Sequence, residues 1–145
     1  MLAINRETDY AARVILHLAL QPPDSRATAR QIAEQRLIPR ALVRRVVTRL
    51  AAAGLIVTTR GGDGGIGLAR PPAEITLLDV VEALEGPLAL NQCTIEPQLC
   101  PLMVVCTVHQ AWLRARDMLR TELGRVTFAA LAQKGGMPPF DATPP

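Results

Sequence analysis

Residues 28–68 constrain this chain more than any other stretch. Thr28-Ala29-Arg30-Gln31 carries a capping-box signature, in which a Thr hydroxyl and a Gln side chain reciprocally satisfy orphan amides at a helix start. It predicts a short helix ending near Arg36. Pro39 suits a first helical position, where its missing N–H would find no partner anyway. The helix it opens is expected to reach about Ala53, with Gly54 as its stop. Leu42, Val46, Val47 and Leu50 form its apolar stripe, while Arg40, Ala41, Arg44, Arg45 and Thr48 fall largely elsewhere on its surface. A β-branched run over 55–60 and the segment 66–68 flank Gly61-Gly62-Asp63-Gly64-Gly65, the pattern of a hairpin. Short helix, tight turn, longer arginine-bearing helix and hairpin together spell a winged helix-turn-helix.

Charge agrees with that reading. The net charge is +3 over 145 residues, but 26–70 carries nine Arg against Glu34 and Asp63, while both flanks are slightly acidic. Positive charge gathered on one segment is the footprint of a polyanion. The chain has fifteen Arg and one Lys, so compositional bias accounts for Arg over Lys; it does not account for the clustering. The second helix of a helix-turn-helix enters the major groove, where an α-helix fits and base edges can be read. The expected DNA-binding residues are therefore Thr28, Arg40, Ala41, Arg44, Arg45 and Arg49, with Arg60 and Gly64 from the wing. A nucleotide-cradling glycine loop is disfavoured: 61–67 lacks the Lys-Ser/Thr of a P-loop and opens no helix.

The remainder reads mostly as helices. Ala11, Val14, Ile15, Leu18 and Ala19 predict a helix over 6–20, ended by Pro22-Pro23. Thr76 to Glu85 is another capped helix, stopped by Gly86-Pro87. Residues 91–106 look irregular, broken by Pro97 and Pro101. A long helix is expected over 108–124, where Val108, Trp112, Ala115, Leu119, Leu123 and Val126 step in a coiled-coil-like seam suited to a homodimer contact. A short helix over 127–134 and a Gly/Pro-rich, disordered tail follow. The expected fold is mainly α with a small β-hairpin wing. Its parts are a winged helix-turn-helix domain (1–86), a cysteine-bearing loop (87–107), a dimerisation helix with a short final helix (108–134) and a tail (135–145).

Several classes fall away. Aromatic residues make up only 3%, which argues against base stacking on aromatic platforms. No apolar run approaches the length of a membrane span, and the N-terminus lacks a basic-then-apolar signal pattern, so a soluble cytoplasmic protein is expected. Three Cys cannot all pair within one chain. They fall as Cys93-x6-Cys100-x5-Cys106, and thiolates are soft ligands suited to an iron–sulfur cluster or zinc. With His109 they could also close a Cys₃His zinc site. Cys106 and His109 could serve as nucleophile and base, but no third orienting group or oxyanion motif accompanies them, so no enzyme is expected.

Thr8-Asp9-Tyr10-Ala11, Ala53-Gly54-Leu55-Ile56, Arg60-Gly61-x-x-Gly64-Gly65-Ile66-x-Leu68 and Ile75-Thr76-Leu77-x-Asp79-Val80-Val81 resemble motifs of the iron–sulfur winged-helix regulators of the IscR/NsrR (Rrf-type) family, over about residues 2–134. The resemblance implies a homodimeric transcriptional regulator, a repressor when its cluster is intact. Its signal would be nitric oxide, redox state or iron and cluster supply. The cluster would be 4Fe–4S, or alternatively 2Fe–2S, on Cys93, Cys100 and Cys106. For the fourth ligand it offers two positions: Asp9, donated from the partner subunit as in NsrR-like members, or His109, in an IscR-like Cys-x-x-His. The chain departs from the family pattern at Ile66, where many members have Tyr. It departs again at Ala41, Arg44 and Arg45, where IscR-like members carry small and acidic or amide residues. The first Cys gap is one residue longer. Arg13 stands where a 2Fe–2S variant has a His ligand. The alternative is a cluster-free regulator of the same fold that responds through thiol oxidation, a metabolite or a protein partner.

Overall fold

A computed structural model describes residues 3–62 and 64–135. Helix α1 (Arg6–Ala19) starts on Asn5, whose side chain accepts the Thr8 N–H. Helix α2 (Ala29–Arg36) carries the complete capping box of Thr28 and Gln31. Helix α3 (Arg40–Ala52) follows after the turn Leu37-Ile38-Pro39. Strands β1 (Ile56–Thr59) and β2 (Gly65–Leu68) pair antiparallel with Ile56 opposite Leu68 and Thr59 opposite Gly65. Helix α4 (Leu77–Glu85) has a second capping box, Thr76 with Asp79, and ends on Gly86. Then come the single turn α5 (Gln92–Ile95), the long α6 (Thr107–Arg125) and the short α7 (Phe128–Gln133). Among the described residues no helix is long and apolar enough to cross a membrane. The tail expected to lack structure falls, from residue 136, outside the described residues, as does Asp63.

One core joins these elements. Ala11, Val14 and Ile15 of α1 are fully buried against Val43, Val46 and Leu50 of α3, Ile32 of α2 and Val80 of α4. Burying each such side chain contributes about 1.5–3 kcal/mol. The hairpin closes one side of the core through Ile56 and Ile66. A single bridge, Ala27 N–H to Ile66 carbonyl at 2.9 Å and its reciprocal at 2.8 Å, adds a third strand rung before α2. At the other end Phe128, 1% exposed, carries α7 back into the core. Leu77 N–H donates to the Val126 carbonyl and Phe128 N–H to the Ile75 carbonyl, lacing the starts of α4 and α7 together.

The winged helix-turn-helix and the long C-terminal helix are as expected; four details differ. Pro39 caps α3 from outside with φ −55° and ψ 130°, because the turn must enter the helix from an extended residue. Val43, not Leu42, is fully buried, so the stripe of α3 is Val43, Val46, Val47 and Leu50, rotated toward α1. Residues 91–106 are not wholly irregular: Asn91 caps α5, and Pro97 opens a 3-10 turn over Pro97–Leu99. Helix α6 begins at Thr107, one residue early, because the Cys106 side chain caps it.

His17 and Arg36 form a polar pair inside the apolar frame, each 2% exposed. Arg36 Nε donates to His17 Nδ1 at 3.0 Å, which requires a neutral imidazole. Burial, and then the adjacent Arg36 charge, lower the His17 pKa from 6.5 to about 4. The unfolded chain takes up a proton as pH falls through 6.5 and the folded chain does not until about 4, so stability is lost across that window. The full difference corresponds to roughly 3 kcal/mol. Urea unfolding at pH 7 and pH 5 should show roughly half to two-thirds of this loss, and His17→Gln, which keeps an acceptor for Arg36 without titrating, should show much less of it.

Candidate nucleic-acid interface and thiol site

The turn between α2 and α3 sets how the second helix is presented. Leu37 adopts a left-handed conformation, φ 53° and ψ 47°, that side chains with a Cβ rarely take. Its N–H bonds back to the Ala33 carbonyl, and the next residue, Ile38, is 3% exposed. The buried Ile38 anchor offsets the strain and fixes α3 relative to α2.

The arginines of α3 divide into two groups. Arg40, Ala41 and Arg44 lie exposed, and among the described residues neither arginine makes an ion pair. Arg45 and Arg49 reach the other way, to the Glu7 carboxylate on α1 at 3.1 Å and 3.7 Å, and Arg49 also donates to the Leu84 carbonyl. Thr28 is exposed at the start of α2, and Arg40 is exposed at the start of α3. Arg60 is exposed where β1 leaves the sheet. The wing turn closes with Gly64 N–H on the Gly61 carbonyl at 3.0 Å. A Cβ on Gly64 would stand 2.5 Å from the Thr59 carbonyl oxygen and 2.7 Å from the Arg60 carbonyl carbon, so a turn of this shape admits only glycine there.

The three thiols are free and half-buried. Cys93 sits in α5, Cys100 follows the 3-10 turn, and Cys106 caps α6. His109, 6% exposed, brings two of them together. Its Nδ1 lies 3.3 Å from Cys93 Sγ, and its backbone N–H donates to Cys106 Sγ at 3.4 Å. Cys100 is not part of this group, and among the described residues no three His, Cys, Asp or Glu side chains converge as a metal site. Asp9 is exposed on α1 and held by Arg13 Nη2 at 2.6 Å. Arg13 also lies over the Tyr10 ring and donates to the Arg36 carbonyl at 3.5 Å. The thiols' chemistry fits a soft metal centre; within the chain two of the three lie against His109.

Residues 4–134 match the Rrf2 family, described as iron-dependent transcriptional regulators. The chain belongs to this family. The Rrf2 fold is equally plain in solved structures. Oxidised CymR of Staphylococcus aureus is 28% identical over 91% of this chain and 97% of its own, with a TM-score of 0.69. Two more distant structures share the fold. CymR, the global cysteine regulator of B. subtilis, has 24% identity, coverage of 92% and 98%, and a TM-score of 0.73. IscR of T. potens has 22% identity, coverage of 92% and 88%, and a TM-score of 0.74. This Rrf2 protein is thus a transcriptional regulator and not an enzyme.

Sequence reasoning missed Cys106 as a helix cap and Glu7 as the partner that divides the arginines. The first had a signal: a polar side chain three residues before His109, at a helix start, is a capping position. The second had none, because Glu7 and Arg45 are joined only by the packing of α1 on α3. For the wing, Gly64→Ala should weaken DNA binding severalfold. The melting temperature should move by less than about 4 °C, the shift that ~1 kcal/mol produces in a domain of this size. Fluorescence anisotropy with a labelled duplex, alongside a thermal melt, checks both.

Proposed function

We propose that this Rrf2 regulator binds a palindromic operator as a homodimer, and that an iron–sulfur cluster on Cys93, Cys100 and Cys106 controls its affinity. For DNA, the reading is supported by the exposed Arg40 and Arg44, which make no ion pair among the described residues, together with Ala41, Thr28 and, on the wing, Arg60 and Gly64. Helix α3 enters the major groove, where Arg side chains bond guanine edges or phosphates. Arg45 and Arg49 contribute less, since a phosphate there must compete with Glu7. Binding then weakens steeply with salt as phosphate contacts release counterions.

Dimerisation uses α6. One side, with His109 and Arg120, faces its own domain, where Arg120 pairs with Glu82. The other leaves Val108 59%, Met118 74% and Leu119 39% exposed, next to half-buried Trp112. An apolar strip of that kind on a regulator of palindromic sites suits a second copy of the same helix. Two α3 helices held this way would address half-sites about one helical turn apart. Leu119→Glu is expected to sediment as a monomer and to lose most operator affinity, while its circular dichroism stays helical.

The sensing reading is supported by one observation: Cys93 and Cys106 both lie against His109. The third thiol lies in a segment with little to fix it, since Leu99, Leu102, Val104 and Val105 are all exposed. A complete donor set therefore needs only this segment to bring Cys100 inward. The fourth position falls to the partner subunit's Asp9, once it leaves Arg13, or to His109. A 4Fe–4S cluster supplies iron that reacts with nitric oxide or oxygen and is lost when iron is scarce; 2Fe–2S is the smaller alternative. The intact form binds and represses. The incomplete gathering of the thiols favours one other reading, a cluster-free regulator that responds through thiol oxidation.

Protein purified without oxygen should be brown, with about four iron and four sulfide per chain. Cys100→Ala should remain a folded dimer with little iron and altered operator binding. Asp9→Ala and His109→Ala, compared by their visible spectra, identify the fourth ligand. Colourless protein after attempted reconstitution, with DNA binding intact, rejects the cluster and leaves the thiol reading.

A further inference from the structure

We infer that Arg26, lying across the wing, is a further DNA-phosphate contact, and that the glycine at position 67 is there to let it lie so. The inference rests on the DNA-binding reading above and adds a residue that reading does not use.

The Ala27–Ile66 bridge sets Arg26 opposite Gly67 on the neighbouring strand. Side chains alternate faces along a strand. Ala27 and Ile66 turn into the core, so Arg26 and Gly67 share the outer face with Val57, which is 37% exposed. Gly67 has no side chain, yet it is buried. Its cover is Arg26: a Cβ built on Gly67 would stand 2.2 Å from Arg26 Nη1, 3.0 Å from Cζ and 3.1 Å from Cδ. Gly65, one step nearer the turn on the same face, would likewise bring a Cβ to 3.2 Å from Arg26 Cβ. The alternate glycines of β2 thus leave room for the Arg26 side chain, Gly65 beneath its Cβ and Gly67 beneath its guanidinium end.

Arg26 is exposed, and among the described residues it makes no ion pair. Lying on backbone rather than on a carboxylate, it keeps its full charge for an outside anion. It stands two residues before Thr28, and residues 26 and 28 point to the same side of that short strand. The start of α2 and the outer face of the wing therefore present one cation and one hydroxyl together. A guanidinium at that place, beside elements that flank the major groove, meets the sugar–phosphate backbone and not base edges. It is a positioning contact, independent of sequence.

The test measures binding to a mixed-sequence duplex several helical turns long, over a salt series. Arg26→Gln is expected to weaken binding roughly tenfold. It should also reduce the slope of log affinity against log salt by about 0.9 for each phosphate that residue 26 no longer neutralises. Arg26→Lys should keep most of that slope. Gly67→Ala retains the charge but displaces the guanidinium, and should weaken binding in the same direction. Thermal melts of each variant distinguish weaker phosphate binding from unfolding. Unchanged affinity and slope in Arg26→Gln, while Arg44→Gln reduces both, overturns the inference and leaves the DNA reading standing. If Arg44→Gln also binds like wild type, the α3 interface fails and takes this inference with it.

Discussion

The apolar stripe of α1 is the surface from which the helix-turn-helix and the wing take their positions. Ala11, Val14 and Ile15 have no exposed area, and α3, α4, α7, α2 and β2 all touch this helix. A winged helix-turn-helix must hold a helix and a hairpin at fixed separation to span a groove and its flanking phosphates. Here the fixing element is a third helix behind both. Polar ties reinforce it at the surface. Glu7 takes Arg45 and Arg49 from α3, and Glu85 of α4 accepts from the Thr8 hydroxyl at 2.6 Å and from Asn5 N–H at 3.0 Å. The Thr8 hydrogen bond, first, holds the Glu85 carboxyl below its ordinary range. Exposed ion pairs contribute little to stability, so their work here is to aim side chains.

That division of arginines explains why clustered charge in a sequence is only half an argument. Nine arginines fall in 26–70, but they are not equivalent. Arg36 is buried against His17, Arg30 pairs with Glu34 one turn on, Arg45 and Arg49 turn to Glu7, and Arg70 lies 3.9 Å from Asp79. The remainder make no ion pair among the described residues. Those four, Arg26, Arg40, Arg44 and Arg60, are spread over α3, the wing and the segment between α1 and α2, parts of the chain that come together only in the fold.

Features written in short stretches of sequence were legible. The capping box of Thr28 and Gln31, the cap of the helix that follows Thr76, the Gly54 and Gly86 stops and the hairpin depend on residues within a few positions of one another, and they formed where expected. Features that needed distant partners were not. Leu37 in a left-handed turn, the single Ala27 rung and the return of Phe128 all arise because tertiary packing overrides local preference. The thiol site lay between these cases. Cys spacing drew attention to the three thiols, but the contact of Cys93 with His109 joins residues sixteen positions apart and depends on how α5 folds onto α6. Burial of Val43 in place of Leu42 is a smaller instance, a helix rotated slightly about its axis by what it packs against.

The burial of Phe128 has a consequence for the order in which the protein becomes competent. The core beneath α1 is closed by a side chain that is synthesised long after the wing. A nascent chain carrying only the DNA-facing elements still exposes the apolar site that Phe128 fills. By the time the last helix leaves the ribosome, all three cysteines have been made. The core beneath α1 is thus completed only after all three cysteines have been synthesised.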